Sequence, residues 1–220
     1  MDTTPEAGAA APKPRAPRAE QDQRIQNDIT QYVQDIQAVR KDTALAAGMT
    51  ELGFDSAALA DGQAHAASAQ SAYTHRQTAM GAEEAALKIA TDADETARRR
   101  YVHYRDVVRI AYPRDPAARK ALGATGIVPK DRQKLVTLAR AAYQGALQPP
   151  YAEALAKRGY NAAGLGAAEL LLDSLDSATA ALTAASRAAV EATTARNDAY
   201  STLTAWGVPF RAAIRRARKK

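Results

Sequence analysis

Residues 52–59 read LGFDSAAL and residues 158–165 read RGYNAAGL, nearly the same phrase written twice at a distance of 106 residues. Each reads as a junction between two helices. Gly53 and Gly159 can take a left-handed backbone conformation and so close a preceding helix. Asp55 and Asn161 follow as N-caps, whose side-chain oxygens accept a backbone N–H of the new first turn. Counted from those caps, Phe54 and Tyr160 stand at N′ and Leu59 and Leu165 at N4. That is the spacing of a hydrophobic staple, which fixes the angle at which the chain enters a helix.

The match extends onward at the same offset without a gap. Ser68 meets Ser174, Ala79 meets Ala185, Ala86 meets Ala192, Tyr104 meets Phe210, Val108 meets Ile214, and the pair Arg105 and Arg109 meets Arg211 and Arg215. Upstream, Ile29, Tyr32, Val33 and Ile36 align with Leu135, Leu138, Ala139 and Ala142, both sets at i, i+3, i+4, i+7. A tandem duplication of a unit of about a hundred residues accounts for this pattern.

Within each unit a shorter helix leads to the glycine junction, and a long apolar stripe follows. In the second unit the stripe runs Leu165, Ala168, Leu172, Leu175, Ala178, Leu182, Ala185, Ala189, Ala192, Ala199, Leu203, Trp206, Phe210. In the first it runs Leu59, Ala66, Ala69, Met80, Ala86, Ala90, Ala93, Ala97, Tyr101, Tyr104, Val108. Steps of three and four give the coiled-coil period rather than that of a strand. The fold class expected is therefore all-α, a tandem-duplicated helical bundle with two very long coiled-coil-like helices, each preceded by shorter helices. A continuous helix of about 55 residues would extend roughly 80 Å. A hairpin bent between Gly81 and Asp94 would hide the same face and is the alternative. Pro209 predicts a kink or restart in the second long helix. The duplication leaves open whether the long helices run parallel or related by a pseudo-twofold.

Breaks in the pattern divide the chain. Residues 1–18, rich in Ala and Pro, read as a disordered tail. Residues 19–112 form the first helical repeat, 113–128 a linker, and 129–220 the second repeat with a basic C-terminal end. Pro129 is expected near the first position of a helix.

Composition limits the chemistry. Cysteine is absent, so disulfides, thiolate metal sites and cysteine nucleophiles are excluded. No run of about 18 apolar residues predicts a membrane span. The N-terminal residues lack the apolar core of a secretory signal, so a soluble, cytoplasmic protein is expected. His65, His75 and His103 do not share a helical face at metal-binding spacing and read as surface residues. GATG (123–126) lacks the Lys-Ser/Thr of a phosphate loop and follows no strand, so it reads as a plain loop. No cofactor, metal or catalytic constellation is expected, and the protein reads as no enzyme.

Charge is localised. Between Arg98 and Lys120 eight cations face two acids, and between Arg211 and Lys220 six cations face none. These two segments carry twice the chain's formal net charge of +6, so the remainder is net acidic. The residues that this marks for polyanion contact are Arg98, Arg99, Arg100, Arg105, Arg109, Arg211, Arg215, Arg216, Arg218, Lys219 and Lys220. Arginine grips phosphate bidentately and tyrosines stack on exposed bases. The competing reading is that cations near a helix C-terminus complement its dipole.

Three functions follow as expectations. The first is a non-enzymatic structural or interaction protein, an elongated helical scaffold that associates with itself as a homo-oligomer. The second is a nucleic-acid binding protein, or a binder of another anionic surface, contacting phosphates through basic helix ends. The third is a surface-coating protein: AAELLLDSL (167–175) and the alanine-rich composition resemble the amphipathic phasins that cover bacterial storage granules.

Overall fold

The computed structural model describes residues 18–219, and these form seven helices and no strand. The tail assigned to residues 1–18 lies outside the described residues except for Arg18, which opens the first helix. In chain order the helices are α1 (Arg18–Lys41), α2 (Thr43–Glu51), α3 (Ser56–Ala111), α4 (Pro116–Ala121), α5 (Arg132–Ala146), α6 (Ala152–Ala156) and α7 (Ala162–Ala217).

Both junctions form as the sequence reads. Gly53 and Gly159 have φ of 84° and 85°. The Phe54 and Tyr160 amides donate back to the carbonyls of Met49 and Leu155, closing each helix with the six-to-one bond of a Schellman end. The Asp55 carboxylate then accepts from the amides of Ala57 and Ala58, and the Asn161 side chain from that of Gly164. The long helices that follow have the same length, 56 residues.

Four expectations are corrected in detail. The hairpin alternative is not taken, because α3 passes Gly81 unbroken. Helix α7 does not restart at Pro209. The proline forfeits one backbone bond at a cost of about 3 kcal/mol. Against that cost, Trp206 stacks on Phe210 with centroids 4.5 Å apart, and both rings meet Phe54 edge-on. Pro129 does not sit at a helix start: α5 begins at Arg132, where the Asp131 carboxylate caps the Lys134 amide. The linker also contains a helix of its own, α4, capped by Asp115.

The chain packs as two compact units that cut across the sequence repeats. Unit 1 comprises the residues up to His75 together with those from Thr193, and unit 2 comprises Arg76–Ala192. Unit 1 thus holds α1, α2, the first part of α3 and the last part of α7. Leu59 shares a core with Phe210 and Ile214, joined by Ile36, Val39 and Met49. One step along, Ala66 and Ala69 meet Leu203 beside Ile25, Ile29 and Tyr32. Ascending numbers on α3 meet descending numbers on α7, so the two helices run antiparallel here.

Two glycines make room inside unit 1. A Cβ on Gly62 would lie 2.1 Å from the Trp206 ring, and one on Gly207 would lie 2.2 Å from the Tyr32 ring. Polar side chains tie the same helices together. Buried Arg196 on α7 pairs with Asp22 on α1 at 3.0 Å, and the Tyr200 hydroxyl donates to Asp28.

Unit 2 holds the end of α3, then α4, α5 and α6, and the start of α7. Its core gathers Tyr101, Tyr104, Tyr143 and Tyr160 with Leu122, Leu135, Leu155, Leu165, Leu172 and Leu175. The Tyr104 ring is surrounded edge-on by Tyr143 at 5.1 Å and Tyr160 at 5.3 Å, and its hydroxyl donates to the Ala142 carbonyl. The Tyr101 hydroxyl donates to the Gly123 carbonyl. Here too α3 and α7 are antiparallel, since residues 97–108 pack with 165–175. Helix α5 has only 15 residues, about 22 Å at 1.5 Å per residue, and cannot cover all of the α3 segment in this unit. Farther along the pair the core thins to Ala79, Ala189 and Ala192.

Leu172 and Leu175 of the AAELLLDSL segment belong to the unit 2 core, and Leu170 is exposed.

Two predictions come from this packing. Burial raises the proton affinity of Tyr101, Tyr104, Tyr143 and Tyr160 above the ordinary tyrosine value, and burial with the Asp28 hydrogen bond pushes Tyr200 up to about 12. The unfolded chain therefore loses these protons first as pH rises. Stability is full below the unfolded value near 10 and falls as pH climbs above it. Phenolate absorbance and helical dichroism, followed together above pH 10, are expected to change in one step. Separately, Gly207→Ala gains about 1 kcal/mol of helix propensity but forces the added methyl into Tyr32. Overpacking costs about 1–3 kcal/mol, so urea denaturation is expected to show net destabilisation.

Candidate polyanion interface

The arginines of 98–109 stand on the last turns of α3, and most of them are bonded within unit 2. Arg98 pairs with Asp94 at 2.9 Å and donates to the carbonyls of Pro129 and Lys130. Arg100 lies over the Tyr160 ring, 4.8 Å from its centroid, and donates to the Gly164 carbonyl. Arg105 is buried, and its guanidinium donates to the carbonyls of Thr125 and Gly126. Arg109 reaches the Ala124 carbonyl at 3.2 Å and the Asp106 carboxylate at 2.8 Å.

The GATG segment is thus the counterpart of these arginines. Gly123 and Gly126, at φ of 65° and 71°, bend the loop so that three successive carbonyls, of Ala124, Thr125 and Gly126, accept from Arg105 and Arg109. A phosphate loop presents amides; this loop presents oxygens to cations. Tyr101 and Tyr104 are fully buried and have no face open to a base.

In unit 1, Arg211 is similarly engaged. Its guanidinium carbon lies 3.7 Å from the Tyr32 ring centroid, and Nε donates to Asp35 at 3.0 Å. The remaining marked residues differ. Arg99, Arg215, Arg216, Arg218 and Lys219 are exposed, and the last four line one shallow depression with Ala212 at the end of α7. No side chain of these five has an ion pair or hydrogen bond among the described residues, although the Arg218 and Lys219 amides donate to the carbonyls of Ile214 and Arg216. Lys220 lies outside the described residues. The polyanion set therefore divides: Arg98, Arg100, Arg105, Arg109 and Arg211 hold the fold together, and the end of α7 keeps a cationic cluster open.

A second candidate surface lies along the edge of the apolar stripes. In unit 2 a groove runs between α3 and α7, lined by Met80, Glu83, Glu84, Leu87, Leu182 and Ser186, with the Ser186 hydroxyl donating to Glu83 across it. Val190, one turn beyond Ser186 on the same helical face, is 67% exposed, and Leu87 is 50% exposed. The available signal in the sequence was large apolar residues standing outside the stripe.

His103 bonds through Nδ1 to the Tyr160 hydroxyl at 2.7 Å, and His75 is exposed. Among the described residues no three metal-ligating side chains come together, and no helix is long and apolar enough to cross a membrane. Comparison with known proteins gives no match to a family model, to a curated protein or to a solved structure.

The division among the arginines is open to measurement. Arg105→Ala removes the partner of two loop carbonyls and is expected to cost about 1–3 kcal/mol. Arg216→Ala, at an exposed position without a partner, should stay within about 0.5 kcal/mol of the parent. Urea midpoints of the two variants check both values.

Proposed function

We propose that the protein is a non-enzymatic interaction scaffold whose long helices associate with a second copy of the chain through the groove face of unit 2. One observation carries the reading: where the fully buried residues of the α3–α7 pair are alanines, it turns leucine and valine outward. The buried residues are Ala79, Ala189 and Ala192, whereas Leu87 and Val190 are exposed. Alanine methyls remove little apolar area from water compared with the roughly 1.5–3 kcal/mol of a buried leucine or valine side chain. The helices reach this stretch by propagation from better-packed segments, which already bear the cost of nucleation.

A second copy laid face to face would complete a four-helix layer, and a twofold contact presents the same patch from both sides. Glu83, Glu84 and Ser186 edge the apolar strip, in keeping with the polar rim of a protein interface. Sedimentation velocity on the wild-type chain is expected to show association that grows with concentration. The double variant Leu87→Glu with Val190→Glu is expected to sediment as a monomer with unchanged helical dichroism. A wild-type chain that stays monomeric at every accessible concentration sinks the reading.

A further inference from the structure

We infer that the end of α7 is a binding site for the phosphodiester backbone of nucleic acid, engaged by Arg215, Arg216, Arg218 and Lys219 without reading sequence. The duplication itself provides the comparison that supports this. Position by position, Arg215 corresponds to Arg109, whose two partners are the Asp106 carboxylate and the Ala124 carbonyl. In the second repeat the residue matching Asp106 is Ala212, and no acid follows Asp198 in the sequence. The carbonyl loop has no counterpart among the described residues: the positions matching 124–126 are 18–20, the first residues of α1. One repeat thus satisfies its arginine internally, and the other removes both partners.

The second repeat also adds charge at the same place. Arg216, Arg218 and Lys219 correspond to Ile110, Tyr112 and Pro113. Four cations within five residues exceed what a helix end rewards, because the dipole contribution fades within the last turn. Arg215 is a helical neighbour of both Arg218 and Lys219, and like charges at those spacings oppose each other. An external polyanion relieves this repulsion and accepts the donors that no internal group takes.

The neighbouring side chains select the kind of polyanion. Ala213 and Ile214 face the core of unit 1, and Ala217 packs against the same cluster, so the depression offers a lipid layer only the Ala212 methyl among its cations, with the single exposed Val208 one turn before it. Trp206 and Phe210 are stacked within that core and offer no ring to a base. What remains is a cluster of forked and point donors suited to phosphate oxygens. Asp42 and Glu51 line a depression together with Arg218. The Asp42 carboxylate is occupied by the Leu45 amide, which it caps.

The test uses the full chain and a fluorescein-labelled duplex of DNA, followed by anisotropy at two salt concentrations. Four phosphate contacts predict affinity falling about a hundredfold between roughly 50 and 200 mM salt. The triple variant Arg215→Ala, Arg216→Ala, Arg218→Ala is expected to bind at least tenfold more weakly at the lower salt. Its logarithmic salt slope should be smaller by up to about 2.7. Arg99→Ala, also exposed but in unit 2, should bind as the parent does, and dichroism should confirm that both variants fold. Duplex RNA of the same sequence, bound within a few-fold of DNA, supports backbone recognition. The proposal is overturned by absence of duplex binding at low salt, or by a triple variant that binds as the parent does. Capture by phosphatidylglycerol vesicles without duplex binding overturns it equally.

Discussion

Everything in this molecule hangs on the aromatic residue that follows each junction glycine and the ring it meets on the other long helix. Phe54 packs edge-on against Phe210 at 5.5 Å, and Tyr160 packs in the same manner against Tyr104 at 5.3 Å. In each unit the start of one long helix is thereby pinned near the end of the other. That pairing dictates an antiparallel course and forces each unit to draw on both sequence repeats. It also ties the lengths together. Each aromatic pin is separated from its own helix's far ring by the same number of residues in both repeats.

The two pins have been finished differently. In unit 1, Trp206 meets both Phe54 and Phe210 and stacks on the latter. Its counterpart in unit 2 is Arg100, which lies over the Tyr160 ring as a cation over a π face. The indole needs more room than the alternative, and Gly62 provides it; the matching residue in the second repeat is Ala168. On the other side, Gly207 yields space to Tyr32, where the first repeat has Tyr101, itself a core ring. Large and small have been exchanged in complementary places, which keeps both cores filled without sharing a sequence.

Local signals in the sequence were sufficient for the helices and insufficient for their partners. Glycine, Asx cap and aromatic act within a few residues of one another, so LGFDSAAL and RGYNAAGL reveal the junctions, and the stripes reveal which face of each long helix is buried. The direction of the helices was not legible, because it is set by Phe54 and Phe210, whose contact spans most of the chain. That α7 continues past Pro209 was not legible for a related reason: the local cost is evident, and the ring stack that offsets it depends on Phe54. The basic segment misled most. Arg105 reads as a free cation because its partners are backbone carbonyls of a loop, as are those that Arg98 and Arg109 take in addition to Asp94 and Asp106, and a carbonyl carries no mark in a sequence.

The same comparison explains why charge alone was a poor guide to a site and why position within a repeat is a better one. A cation in a folded protein is informative when the structure around it offers nothing to bond. In unit 2 the bend at Gly123 and Gly126 turns carbonyls toward Arg105 and Arg109, and these arginines become part of the fold. In unit 1 residues 18–20, at the positions matching 124–126, already belong to α1, whose carbonyls point along the helix, and Arg211 turns instead to Asp35 and Tyr32. Arg215, one turn farther, has passed the last acid on its own helix. Matching positions thus test one another: Arg105 and Arg211 both find partners within the fold, whereas of Arg109 and Arg215 only the first does.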